Sequence, residues 1–107
     1  MNRGMLYWVE LPDDKRRPAL IISPAMRNEA AKTVLVVPIS SQLRFGPWHV
    51  ALRSGEAGLH KSSVAKCEDV QPVRRELFNP RPIGGPLSAE RMREIEGAVM
   101  SALGIQR

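Results

Sequence analysis

The chain reads as a small, mostly antiparallel β-barrel capped by one C-terminal α-helix. Three observations predict this class. Short apolar runs recur between residues 5 and 74, separated by Pro, Gly, Asp and Ser, which punctuate turns. One of them, Val34-Leu35-Val36-Val37-Pro38-Ile39, is apolar throughout, as expected of a strand covered on both faces. Near the end, Met92, Ile95, Val99 and Leu103 recur at spacings of three and four, the signature of one helical stripe. The 107 residues suit one domain over 1–107, large enough for a single core.

The elements follow in order. Residues 5–11, Met-Leu-Tyr-Trp-Val-Glu-Leu, predict a first strand, and Pro12-Asp13-Asp14 a turn. Residues 18–23 predict a second strand with Pro18 at its first position, where a missing N–H does least harm. Ser23-Pro24 suits the cap and first position of a short helix over Ala25–Ala31. Residues 32–40 predict the central strand, with Pro38 marking an edge or a bulge near its end. Gly46-Pro47 turns the chain into a fourth strand, Trp48–Leu52. Residues 58–66 and 67–74 predict two more, and 79–86, rich in Pro and Gly, a loop. Ser88 is the expected N-cap of the last helix, Glu90 sits in its first turn, and Gly104 is the expected C-terminal stop.

Composition narrows the function. Hydrophobic residues are 43% and charged residues 25%, ordinary for a soluble globular domain. No segment approaches the roughly 18 apolar residues of a membrane span, and the N-terminus lacks a signal pattern, so no membrane association is expected. The single Cys67 excludes an internal disulfide, and a cytoplasmic location is expected. Sixteen Lys and Arg against eleven Asp and Glu give +5, which favours an acidic partner such as nucleic acid.

Two segments concentrate phosphate-competent groups at strand ends. Lys15-Arg16-Arg17 abuts Pro18, and the residue before a proline is held extended, so Arg17 projects from a strand mouth. Its guanidinium can grip a phosphate with two parallel hydrogen bonds. The plainer reading is a solvated run paired with Asp13-Asp14. Ser40-Ser41-Gln42 ends the central strand; a serine there donates to a phosphate oxygen or caps a turn. Lys66 and Glu68, if in a strand, share a face and can divide acid and base roles; otherwise they form a surface ion pair. Cys67 falls on the opposite face and reads as core. His49 and His60, with Cys67, lack metal-ligand spacing, so no metal is expected. Trp8 and Trp48 can stack on bases, although a barrel this small is expected to bury at least one. Gly84-Gly85-Pro86 lacks the pattern of a phosphate-binding loop.

The ordered set of these segments resembles the MazF/PemK family of toxin endoribonucleases. The residues that carry the resemblance are Arg3-Gly4, Arg17-Pro18-Ala19-Leu20, Val37-Pro38-Ile39-Ser40-Ser41, Ser63-Val64-Ala65-Lys66-Cys67-Glu68 and Gly85-Pro86-Leu87-Ser88. They span about residues 3–104. The resemblance implies an SH3-like barrel with a C-terminal helix, working as a homodimer without cofactors. It implies metal-independent, sequence-selective cleavage of single-stranded RNA, and a cognate antitoxin whose acidic, flexible tail occupies the RNA site. It assigns Arg17 to the pentacovalent phosphate and Ser40 to the family's hydroxyl after Pro-Ile. Some members flank the cysteine with an arginine and an aspartate as acid and base; Lys66 and Glu68 hold those positions here. Lys15, Arg16, Ser41 and Gln42 are the expected RNA-binding neighbours. The Pro12–Arg16 connection is shorter than the family's usual Gly-rich loop. Two other readings stay open: a CcdB-like toxin that binds a protein such as DNA gyrase, which needs neither Arg17-Pro18 nor Ser40, and an inactive SH3-like module that binds RNA without cutting it.

Overall fold

In the computed structural model, which describes residues 1–13 and 15–106, the expected elements occur in the expected order. They are β1 (Leu6–Glu10), β2 (Arg16–Ile21), α1 (Ala25–Ala30), β3 (Thr33–Ser40), β4 (His49–Leu52), β5 (Ser63–Lys66), β6 (Gln71–Arg74) and α2 (Ala89–Ala102). Single 3₁₀ turns lie at Glu56–Gly58, Cys67–Asp69 and Arg75–Leu77. Asp14, expected in the first turn, lies outside the described residues.

The six strands form one antiparallel sheet in the order β1-β2-β3-β5-β4, with β6 also on β3. Among the described residues no ladder closes it into a complete barrel. Instead, residues 78–84 run along the outer edge of β1: the Asn79 N–H donates to the Trp8 carbonyl (2.8 Å) and the Ile83 N–H to the Leu6 carbonyl (2.7 Å). This satisfies edge groups that would otherwise be open to another chain.

Strand β3 organises the rest. Its partners on one side are β5, through Ile39↔Ala65, and β6, through Val36↔Gln71. Between those pairs β3 has two residues, 37–38, whereas the other side has five, 66–70. The surplus is taken up as the turn Cys67–Asp69, so β5 and β6 are one long strand interrupted by a bulge. The bulge lies across from Pro38, as a proline near the end of β3 foreshadows. It corrects the expectation of a continuous strand over 67–74, and with it the shared strand face of Lys66 and Glu68. The fifth strand is also shorter than expected. Residues 58–62 are not strand, because Gly55 and Gly58 adopt left-handed backbone (φ +95° and +85°) and turn the chain.

Pro18 is not at the start of its strand. β2 begins at Arg16, and Pro18 pairs with Trp8. It is tolerated because β2 meets β3 only from Ala19 onwards, leaving the β3-side edge of residues 16–18 free. Ser23 does not cap α1; Pro24 takes the cap position. The Ser23 hydroxyl is buried, bonded to Asn28, and accepts the Leu35 N–H (3.0 Å).

Both faces of the central strands are buried. Leu20, Val37 and Ile39 face α2 with Leu6, Ala65 and Cys67, against Met92 and Ile95 of the helix. Ala19, Ile21, Val34 and Val36 face the other way, against Val9, Val73 and Phe78. Burying each large aliphatic side chain contributes about 1.5–3 kcal/mol. α2 is capped as its sequence predicts: the Ser88 hydroxyl accepts the Arg91 N–H (3.1 Å), and Gly104 stops it in a left-handed conformation (φ +76°). Neither tryptophan is core. Trp8 is 39% and Trp48 37% exposed, so the expectation that the barrel buries one is corrected; mainly aliphatic side chains, with Phe78 in the second cluster, fill the two cores instead.

Candidate active site

A cleft of about 790 Å³ opens where β1, β2 and the end of β3 meet the 59–63 and 79–83 segments. Ile39 and Leu59, both nearly buried, form part of its floor. Arg16, Arg17, Lys61, Lys66 and Arg81 border it, and among the described residues no Asp or Glu does. A concave surface with one sign of charge focuses its field on an anion.

Local structure explains how these side chains converge. Arg16 and Arg17 open β2 at its free edge, which lets residues from both faces of the strand border the cleft. The Arg17 guanidinium is paired with Asp13 at 2.8 Å, so the ion pair anticipated for the basic run and a position beside the cleft are both present. Ser40, Ser41 and Gln42 come from the end of β3. The Ser40 hydroxyl accepts the Gln42 N–H (3.1 Å), so it caps the turn while bordering the cleft. Its own hydrogen is left for another acceptor.

The opposite wall depends on a close backbone approach. A Cβ on Gly58 would collide with the Ile83 carbonyl, and one on Gly84 with the Ala57 carbonyl. Two glycines therefore let the segments that carry His60-Lys61 and Arg81-Pro82-Ile83 meet at one rim. His60 is held at its backbone: the Ser54 hydroxyl donates to its carbonyl (3.0 Å), and Leu59 beside it is buried.

The expected site residues divide. Arg16, Arg17, Ser40, Ser41, Gln42 and Lys66 border the cleft together. Lys15 does not, and Glu68 does not. The bulge at Cys67–Asp69 carries Glu68 to His49, whose Nε2 lies 2.9 Å from Oε2. Lys66 has Asp69 as its ionic neighbour, at 3.7 Å. Cys67 is buried; burial, helped by the Glu68 charge, pushes its thiol up to about 12, which leaves no thiolate for chemistry at neutral pH. Sequence reasoning passed over His60, Lys61, Asn79 and Arg81. The sequence offers His60 only as a candidate metal ligand, and the others lie in segments without periodicity. Among the described residues no cluster of three or more His, Cys, Asp or Glu has metal-binding geometry.

Known proteins share this fold. A fold comparison matches a Mycobacterium tuberculosis toxin, MazF-mt6, at TM-score 0.85 and 25% identity, covering 96% of this chain and 99% of that one. An endoribonuclease in complex with its cognate antitoxin, from a mycobacterial species, matches at TM-score 0.86 and 22% identity over 100% and 98%. MazF from a MazE-MazF crystal structure of Deinococcus radiodurans matches at TM-score 0.82 and 24% identity over 99% and 97%. A search of curated proteins finds no match. The sequence profile of PemK-like, MazF-like toxins of type II toxin–antitoxin systems matches residues 2–103. With its sheet, helix and nearly the whole of its length accounted for in this way, the chain belongs to the PemK-like, MazF-like toxin family of type II toxin–antitoxin systems.

Proposed function

We propose that this toxin is an endoribonuclease that cleaves single-stranded RNA by attack of a ribose 2′-hydroxyl on the adjacent phosphorus. The observation that carries the reading is the cleft itself, with Arg16, Arg17, Lys61, Lys66 and Arg81 on its border and no carboxylate among the described residues. Arg17 binds the phosphate and stabilises the charge that builds on its oxygens in the transition state. Ser40 adds a hydroxyl donor. In the reaction the O2′–P bond forms and the P–O5′ bond breaks, leaving a 2′,3′-cyclic phosphate and a 5′-hydroxyl. The 2′-hydroxyl proton needs an acceptor, and the departing 5′-oxygen needs a donor. His60, which borders the cleft, is the acceptor in this scheme, and the Lys66 ammonium is the donor. Glu68, the family-derived candidate for proton transfer, is engaged by His49 outside the cleft and is not used. Every step uses side chains of the chain and groups of the RNA, and no metal enters the scheme.

The same cleft suits the acidic tail of a cognate antitoxin, which would compete with RNA for the cations, and the active form is a homodimer. The test is incubation with a long RNA, read by primer extension. Wild-type protein produces discrete cuts, unaffected by EDTA. Arg17→Ala lowers the cleavage rate by about 10²–10³-fold, the usual loss for one transition-state donor, with an unchanged melting temperature. A 2′-deoxy sugar at the cut site blocks the reaction; normal cutting there would sink the mechanism. Growth arrest on expression with RNA left intact would favour a toxin that binds a protein target.

A further inference from the structure

We propose that Trp8, with Arg16 lying over it, forms a stacking platform for the nucleobase next to the phosphate held at Arg17. The inference rests on the endoribonuclease reading and adds to it a base subsite.

In β1, Leu6, Trp8 and Glu10 share one face of the strand. Leu6 is fully buried beneath α2, and Trp8 continues the same face beyond the edge of that core and into the cleft wall. The ring is 39% exposed and belongs to neither core cluster. Its neighbour Tyr7 has a ring partner, Phe78, edge-on at 5.7 Å between centroids. The contact recorded for Trp8 is of another kind: the Arg16 guanidinium carbon lies 5.8 Å from its ring centroid. That placement follows from register. Trp8 pairs with Pro18, so Arg16, two residues away, projects from the same face onto the ring.

Leaving a large aromatic ring accessible forgoes the stabilisation that burial would contribute. Here the ring borders the same cleft as the arginine pair, one residue pair along the β1–β2 ladder from Arg17. A flat ring beside a phosphate-binding arginine is how single-stranded nucleic acid is held: the cation takes the backbone and the ring takes the base. The cations on the cleft border favour a polyanion over an apolar peptide. The Arg16 guanidinium can serve as a second planar surface beside the ring.

Binding without cleavage isolates this subsite. The probes are a short 2′-O-methyl RNA oligomer of mixed sequence, an abasic 2′-O-methyl oligomer of equal length, and poly-glutamate. Trp48→Phe is the background, so that fluorescence reports Trp8. The base-bearing oligomer is expected to quench Trp8 and the abasic one to bind without quenching. Trp8→Ala is expected to weaken the base-bearing oligomer about ten-fold, or about 1.4 kcal/mol, within the range for one stacked base. Affinity for the abasic oligomer stays the same, and Trp8→Phe restores most of the loss. Equal quenching by the abasic oligomer overturns the proposal, as does a Trp8→Ala variant that binds both oligomers as wild type does. Quenching by poly-glutamate alone reassigns the ring to an acidic protein segment and also overturns it. Because these probes cannot be cut, the outcomes are independent of the cleavage test. If Trp8→Ala fails to fold, the quenching comparison in the Trp48→Phe background still decides.

Discussion

Arg17 shows how one side chain carries two readings at once. Asp13 holds its guanidinium at 2.8 Å, the solvated ion pair that charge runs usually make, yet Arg17 also borders the cleft. Exposed pairs of this kind contribute about 0–1 kcal/mol, so a phosphate can displace Asp13 at little cost. His60 is the residue whose role is most open to measurement. His60 borders the cleft, so His60→Ala is expected to lower kcat while leaving the affinity for an uncleavable oligomer nearly unchanged. An unchanged kcat would remove it from the proton relay. Cys67 gives the opposite case. Burial first, and the Glu68 charge second, push its thiol up to about 12. Native protein is therefore expected to resist iodoacetamide at pH 7–8 and to react only once unfolded, as mass spectrometry can follow.

At the scale of elements, the cleft depends on how the Glu56–Gly58 turn is fixed to α2. Arg91 reaches back from the helix to Glu56 with two hydrogen bonds of 3.0 Å each. Burial opposes ionisation of Glu56, but hydrogen bonds from Arg91 and the Arg53 N–H outweigh it and hold the carboxyl below its ordinary 4.5. A depressed folded-state value means that the stabilisation is present above pH 4.5 and is lost as pH falls through the folded value. Thermal melts across pH 3–6 are expected to show a loss for wild type that Glu56→Gln largely lacks; parallel curves would exclude this pair as its source. The same turn precedes Leu59 and His60, so it also positions one wall of the cleft. The bulge at Cys67–Asp69 is the other decisive element, because it buries Cys67 and turns Glu68 to His49.

At the scale of the molecule, the sixteen basic residues outnumber the eleven acidic ones, and the excess is felt most where the cleft gathers its cations. Single-stranded RNA bound there releases counterions, so log K is expected to fall with log salt by about 0.7 for each phosphate neutralised. Titration of the uncleavable oligomer between low and physiological salt measures this. Arg16→Ala or Lys61→Ala should each flatten the slope by about that amount, and a slope near zero would place RNA elsewhere. No helix among the described residues is long and apolar enough to cross a membrane.

The sequence by itself determined the class of fold, the order of its elements and half of the candidate site. Apolar runs, the stripe at Met92, Ile95, Val99 and Leu103, and the Ser88 cap are local signals, set by spacing and turn chemistry. Arg17 and Ser40 were legible for a related reason: Ser40-Ser41 marks the end of β3, and Pro18 holds Arg17 extended near the start of β2, although that strand begins two residues earlier than Pro18 suggests. The partner of Glu68 was not legible. It follows from three surplus residues opposite Pro38, a mismatch that exists only once β5 and β6 are both laid on β3. Nor was the exposure of Trp8, because a ring on a core-facing strand is buried or open according to where the core stops. The convergence of His60, Lys61 and Arg81 on Arg17 was decided by tertiary structure alone: two loops distant in sequence meet there because Gly58 and Gly84 let their backbones touch.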